Sequence, residues 1–259
     1  MSEIQTAKET IVQIGRDLYE RNMIVAGDGN ISMRLSDGSI LCTPSGLCKG
    51  KMSPSQLLIV DESGKVLEGE LKPSSELKMH LTVYRERSDV HAVVHAHPPT
   101  ATGFACAGEP LNRALLSEVV LTLGCVPLAP YGTPSTEQVS DGIRDLIRVH
   151  DGMLLANHGA LTVGPDLMTA YYRMETIEHF AKISLVTRIL GKETLLSVEK
   201  VEELKDITAQ SGSTPIALDI GSCPIPAAGT AKKAQGETIT LTRSELIELI
   251  ERAVAERIG

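Results

Sequence analysis

"VVHAHPPTATGFA", residues 93–105, is the stretch on which the reading turns. A short apolar run ends in His95-Ala96-His97, and Pro98-Pro99 follows at once. In a strand, side chains alternate faces, so residues i and i+2 point the same way. The strand would therefore set both imidazoles on one face, at a separation a metal ion can bridge. The two prolines stop the strand, which predicts that the pair lies near a sheet edge or a cleft. Of the seven histidines, His158 is the natural third ligand. It sits in Asn157-His158-Gly159, between two short apolar runs, "GMLLA" and "ALTVG". Three imidazoles leave a coordination position open, as a catalytic metal requires.

Around this stretch the chain alternates short strand patterns with helical ones. Residues 4–23 carry Ile4, Ile11, Ile14, Leu18 and Tyr19 near helical spacing. "AGDGNIS" (26–32) breaks the pattern. Turns at Ser36-Asp37-Gly38 and Glu62-Ser63-Gly64 then predict two hairpins. Residues 74–87 read as a helix capped by Ser74 or Ser75. "DVHAVVHAH" reads as a strand. "VVLTLGCVPLAPYGTPSTEQVSDGIRDLIRVH" reads as a strand, a loop and a helix. A long amphipathic helix ends near Gly191, and a polar one covers about 197–210.

Composition narrows the function classes. The chain has 259 residues, 42% hydrophobic and 22% charged, enough for a large buried core. Only 3% is aromatic and Trp is absent, so stacking on sugars or bases is not the expected binding mode. A net charge of −8 without a basic block argues against nucleic-acid binding. The five scattered cysteines form no C-x-x-C pair and are expected to be reduced and mostly buried, in a cytoplasmic protein. The N-terminus lacks a secretory pattern, and no apolar run approaches the roughly 20 residues of a membrane span.

Three further stretches hold small side chains, hydroxyls and accessible backbone N–H groups: "GDGN" (27–30), "TPSG" (43–46) and "PSS" (73–75). Each alone reads as a turn. Together they offer what a phosphate nest needs, with a helix N-terminus after Ser74-Ser75. Glu76 follows directly. It either complements the dipole in the first helical turn or faces the metal as a general base.

Taken in order, "AGDGNIS", "TPSG", "KPSSE", "VVHAHPP", "APYGTPST" and "NHG" resemble the class II aldolase/adducin family, in a pattern nearest its L-fuculose-1-phosphate aldolases. The resemblance covers about residues 5–200. It implies an α/β fold, a three-layer α/β/α sandwich around a mainly antiparallel central sheet. It also implies a homotetramer with sites at subunit interfaces. By motif match, His95, His97, His158 and Glu76 would bind Zn2+. Glu76 would turn acid/base when substrate displaces it, and Gly29, Asn30, Ser45, Gly46, Ser74 and Ser75 would hold the phosphate of a phosphorylated ketose. The implied reaction cleaves L-fuculose 1-phosphate, or L-rhamnulose 1-phosphate, to dihydroxyacetone phosphate and lactaldehyde. Alternatives within the family are a pentulose-phosphate 4-epimerase, a methylthioribulose-phosphate dehydratase and a 5-deoxypentulose-1-phosphate aldolase. The donor set would also accept cobalt or manganese.

One departure stands out. The family's aldolases use tyrosines that this chain lacks: "NRALLSEVVLTLG" (112–124) has none, and none follows Tyr172. Glu118 is the nearest proton donor or acceptor, and is either the catalytic replacement or a surface charge.

The domain reading is a catalytic unit over 1–210, a Gly/Pro/Ser/Ala-rich flexible linker over 211–236 and an amphipathic C-terminal helix over 237–259. Thr242 and Glu245 match a capping box. Leu246, Ile250, Ala253, Val254 and Ile258 form a stripe. This helix packs on its own tetramer, is an inert extension, or docks on a partner. The last arrangement resembles the encapsulation peptides of bacterial microcompartments, with a shell protein as partner.

Overall fold

In the computed structural model, residues 3–210 are described. The linker and the C-terminal helix expected over 211–259 lie outside the described residues.

Eight strands form one sheet in the order β4-β3-β2-β1-β5-β8-β7-β6. They are β1 (Asn30–Arg34), β2 (Ile40–Cys42), β3 (Leu58–Val60), β4 (Val66–Glu68), β5 (Ala92–Ala96), β6 (Leu128–Ala129), β7 (Gly152–Leu155) and β8 (Gly159–Gly164). Every neighbouring pair is antiparallel except β6 with β7. Both expected hairpins form. Asp37 Oδ1 accepts from the Ser39 N–H at 2.9 Å, and Asp61 Oδ1 accepts from the N–H groups of Ser63 and Lys65. In each turn an acidic side chain thus replaces backbone partners.

Helices cover both faces, which is why the central strands read as continuous apolar runs. On one face, α1 (Glu3–Glu20), α3 (Pro99–Ala107), α4 (Ser117–Thr122) and α6 (Leu167–Ile189) pack on Ile31, Val94, Ala96, Leu154 and Ala160. On the other, α2 (Leu77–Glu86) and α5 (Glu137–Ile147) pack on Val60, Val93, Met153, Leu155 and Leu161. The last helix among the described residues, α7 (Val198–Gln210), carries Val201 against Ala114 and Val120. This is the three-layer α/β/α sandwich expected.

Three local readings need correction. Val119–Thr122, expected in a strand, lies in α4, and only Leu128–Ala129 is extended. Tertiary packing of Val119 and Val120 overrides their β preference. Pro99 does not merely end β5: it opens α3, where its missing N–H costs nothing. Of the cysteines, Cys42 is a buried free thiol, Cys48 is half-buried and Cys106 is exposed. Cys125 is disulfide-bonded, against the expectation that all are reduced. Among the described residues, no helix is long and apolar enough to cross a membrane.

Candidate metal centre and active site

The histidine pair sits in mid-sheet, not at an edge: β5 lies between β1 and β8. Val93 faces the α2/α5 layer, so His95 faces it too by strand alternation. It is fully buried. His97 stands just past the strand end, its N–H bonded to the Met23 carbonyl at 2.9 Å. His158 lies in the tight turn from β7 to β8. Asn157 takes a left-handed conformation there (φ 55), and the His158 N–H returns to Leu155 O at 3.0 Å. Gly159 is required by close approach: a Cβ there would lie 2.5 Å from Ala96 O and 2.6 Å from His97 Cδ2.

These elements bring the three imidazoles into a near-equilateral triangle, with centroid separations of 4.9, 4.7 and 5.1 Å. One ligand nitrogen from each lies within 4.8 Å of the others. The orienting contacts are in place. His95 Nδ1 donates to Ala160 O at 2.9 Å, which leaves Nε2 with its lone pair free. His97 Nδ1 lies 3.3 Å from Asp28 Oδ2.

Glu76 closes the cluster. Its Oε2 is 3.3 Å from His95 Nε2 and its Oε1 is 3.0 Å from His158 Nε2. Oε1 is buried and makes no hydrogen bond despite that proximity. An orphaned anionic oxygen beside three converging imidazole nitrogens is the donor set of a divalent cation, so the residues fit a metal.

The electrostatics agree. Burial pushes the Glu76 carboxyl up, but His95 and His158 more than reverse this and hold it well below the usual carboxylate range. Burial pulls His95 down, yet the Glu76 carboxylate leaves it raised. Burial, then repulsion from His95 and His158, brings His97 down to about 4.

Glu76 is the N-cap residue of α2, not a first-turn residue, because the helix begins at Leu77 rather than at Ser74. Ser74 instead accepts from the Glu76 N–H at 3.3 Å. This turn aims the carboxylate at the face of the sheet that carries His95.

The three small-residue stretches converge beside it. Ser45 N–H bonds Lys72 O at 2.9 Å, Pro44 bridges Pro73, and the Gly27 Cα faces the Gly46 backbone, which its Cβ would meet at 3.6 Å. Gly29 is left-handed (φ +68), and its missing Cβ would lie 2.8 Å from His95 O. Ser45, Gly46 and Ser75 are exposed, Ser74 is half-buried, and Gly29 and Asn30 are buried. "APYGTPST" joins this end as well: Ser135 and Thr136 line a cleft with Ser75 and Glu76.

Glu118 is not brought to the cluster within one chain. It is exposed in the first turn of α4, a helix packed on α6 and α7.

Several residues were not foreseen. Asp28 lay inside a quoted motif, but nothing marked it as the partner of His97. Lys49 in "KGK" reads as surface charge, yet it is buried and its Nζ donates to Gly27 O at 2.5 Å. Burial pulls its ammonium below the usual lysine range. His80 and Tyr84 had a readable signal: with Glu76 they fall at i, i+4 and i+8, one face of a helix. Here Asn30 Nδ2 donates to Glu76 Oε2 at 2.9 Å, and Asn30 Oδ1 contacts His80 Nε2. His80 Nδ1 meets Ser32 Oγ at 2.7 Å, and Ser32 Oγ meets the Tyr84 hydroxyl at 2.8 Å.

Comparison with known proteins decides the kinship. The family described as the Class II Aldolase and Adducin N-terminal domain matches residues 9–185. The chain belongs to the class II aldolase and adducin family. Among relatives of this family, the 3-oxo-tetronate 4-phosphate decarboxylase of Escherichia coli (strain K12) is 33% identical over 207 residues, covering 78% of this chain and 96% of that one. The 5-deoxy-D-ribulose 1-phosphate aldolase of Bacillus thuringiensis serovar kurstaki is 35% identical over 203 residues, covering 78% and 94%. The solved L-fuculose-1-phosphate aldolase of Thermus thermophilus is 33% identical, with a TM-score of 0.65, over 73% of this chain and 98% of that one. Members of the class II aldolase family are generally metal-dependent, which accords with the three-histidine group here.

Proposed function

We propose that this class II aldolase family member is a lyase. It cleaves a carbon–carbon bond next to the carbonyl of a phosphorylated ketose, with Zn2+ held by His95, His97, His158 and, at rest, Glu76. The observation that carries this is Glu76 itself. Its carboxylate touches two of the three clustered histidines, and its own chain leads back through Ser75 and Ser74 into the converged small-residue loops. When bound, the cation supplies Lewis-acid polarisation of the substrate carbonyl. Glu76 moves the proton to or from the carbon that becomes nucleophilic. Gly29, Asn30, Ser45, Gly46, Ser74 and Ser75 anchor the phosphate, which fixes the reacting carbons in place.

The first substrates are L-fuculose 1-phosphate and L-rhamnulose 1-phosphate, giving dihydroxyacetone phosphate and lactaldehyde. The 35% identity to a 5-deoxy-D-ribulose 1-phosphate aldolase adds that sugar phosphate. A second reading, decarboxylation of 3-oxo-tetronate 4-phosphate, is favoured by the 33% identity to its decarboxylase and by the absence of tyrosine from residues 112–124. Both reactions leave an enediolate beside the phosphorylated end, so the same machinery serves either. One assay separates them. Each sugar phosphate is offered with and without chelator, and dihydroxyacetone phosphate and carbon dioxide are measured in parallel. Chelator-sensitive dihydroxyacetone phosphate with an aldehyde and no carbon dioxide, from a ketose 1-phosphate, establishes the aldolase. Dihydroxyacetone phosphate with an equal amount of carbon dioxide, from 3-oxo-tetronate 4-phosphate, establishes the decarboxylase. Neither product from metal-loaded protein overturns the lyase reading.

The assembly is proposed as a homotetramer in which Glu118 reaches a neighbour's site. Residues 237–259 are proposed, on sequence pattern alone, as a docking helix for a microcompartment shell. Deleting them leaves catalysis intact and releases the enzyme from shells. A truncated protein that still co-purified with shells would refute this.

A further inference from the structure

We infer that His80, held by Ser32 and Tyr84, is a positioning residue that fixes which end of the Asn30 amide faces Glu76, and through Asn30 locks the carboxylate in the metal centre. The inference rests on the metal-centre reading above, but not on any particular substrate.

Hydrogen-bonding capacity alone settles the direction of this chain of contacts. An ionised Glu76 only accepts, so Asn30 must offer it the Nδ2 end. The other end, Asn30 Oδ1, only accepts, so His80 Nε2 must carry the hydrogen. A neutral imidazole then has its lone pair on Nδ1. The single Ser32 proton goes there at 2.7 Å, and Ser32 Oγ accepts from the Tyr84 hydroxyl at 2.8 Å. Each group has one role that satisfies its neighbours. A flipped Asn30 would set a carbonyl oxygen against a carboxylate, and would leave His80 facing an N–H with an N–H.

Burial makes this strict. Asn30, Ser32, His80 and Tyr84 are all buried, at 4%, 0%, 1% and 6% exposure, so water cannot substitute for a lost partner. The placement follows from the fold. Ile31 faces the α1/α6 core, so Asn30 and Ser32 on either side of it face α2. Along α2 and its N-cap, Glu76, His80 and Tyr84 recur every four residues and come down on that strand face. Helix spacing and strand spacing thus meet along one line that ends at the metal centre.

The first test needs no variant. Nitrogen-15 NMR of the folded wild-type protein, labelled at histidine, reads the tautomer of His80 directly. The expected state is Nε2–H, and Nδ1–H would overturn the proposal. The second test is Co2+ binding, followed by titration and by the visible d–d spectrum. Removing a hydrogen-bond partner behind a metal ligand typically weakens binding by 10–100-fold. His80→Leu should weaken Co2+ about tenfold and alter its spectrum, whereas His80→Gln, which restores an N–H toward Asn30 Oδ1, should bring both back toward wild type. If His80→Leu folds and keeps the wild-type Co2+ spectrum and affinity, His80 is structural only and the inference fails. These readouts hold even if no tested sugar phosphate is turned over, so they fail separately from the proposed reaction.

Discussion

Glu76 Oε1 lies 3.0 Å from His158 Nε2, although 82 positions separate the two residues, and that oxygen has no hydrogen bond of its own. A buried anionic atom in that condition waits for a cation. Chelation should therefore abolish activity, and Zn2+ or Co2+ should restore it. Glu76→Gln removes the charge and, on the proposed mechanism, the proton carrier. Its expected cost is about 10²–10⁴-fold in kcat, with weaker metal binding measured by titration. A Glu76→Gln enzyme with wild-type kcat would remove Glu76 from the chemistry.

Gly159 tests the packing of the cluster instead of its ligands. A Cβ at this position meets Ala96 O at 2.5 Å and the His97 ring at 2.6 Å. One of the two must shift, and the backbone of a central strand gives less than a ring at its end. Gly159→Ala should push His97 off the triangle, weakening metal binding about tenfold or more, and should lower stability by about 1–3 kcal/mol. Metal content by mass spectrometry and a denaturant curve read the two effects separately.

Much of this site was legible beforehand because strands impose period two and motifs are local. His95 takes its face for that reason, and the H-x-H spacing, which needed no coordinates, leaves His97 just past the strand end with its ring 4.9 Å from that of His95. What the sequence concealed was long-range. Nothing in "AGDGN" says that Asp28 will meet His97, and "KGK" does not say that Lys49 will be buried beside Gly27. The mid-sheet place of β5 was hidden too, because Pro98-Pro99 marks an edge and a strand end alike. Val119 and Val120 went wrong through local preference, which packing on neighbouring helices outweighed. Glu118 was nominated by proximity in sequence, and in one chain the fold leaves it exposed on α4.

Glu178 reaches from α6 to the start of α3, two residues after the histidine pair ends. Its carboxylate accepts from Thr100 N–H at 3.1 Å, Thr100 Oγ1 at 2.9 Å and Ala101 N–H at 2.9 Å. The two N–H groups are orphan donors of a helix N-terminus, where the dipole also favours an anion. Hydrogen bonds to a charged partner contribute about 1.5–3 kcal/mol. Glu178→Ala should therefore lower stability by about 3 kcal/mol, and Glu178→Gln by less, since it keeps one acceptor. Urea unfolding measures both. Equal losses for the two variants would show that volume, not hydrogen bonding, is what Glu178 supplies.

His80 gives the acid limb of stability a testable share. Burial, and the nearby His95, hold its imidazole down to about 3, against 6.5 in an unfolded chain. Above 6.5 both states are neutral there and the residue makes no proton-linked contribution. Between 6.5 and about 3 the unfolded state binds a proton that the folded state refuses. Stability then falls as pH falls, by up to about 1.4 kcal/mol per pH unit. His150, also lowered by burial, adds a slope of the same sign, and His95, raised by Glu76, opposes it. A difference curve cancels those terms. The stability of wild type minus that of His80→Gln, measured by urea unfolding from pH 7 to pH 4.5, should be flat near neutrality and then decline steadily. A difference that stays constant across that range would mean that His80 takes up its proton in the folded protein as readily as in water.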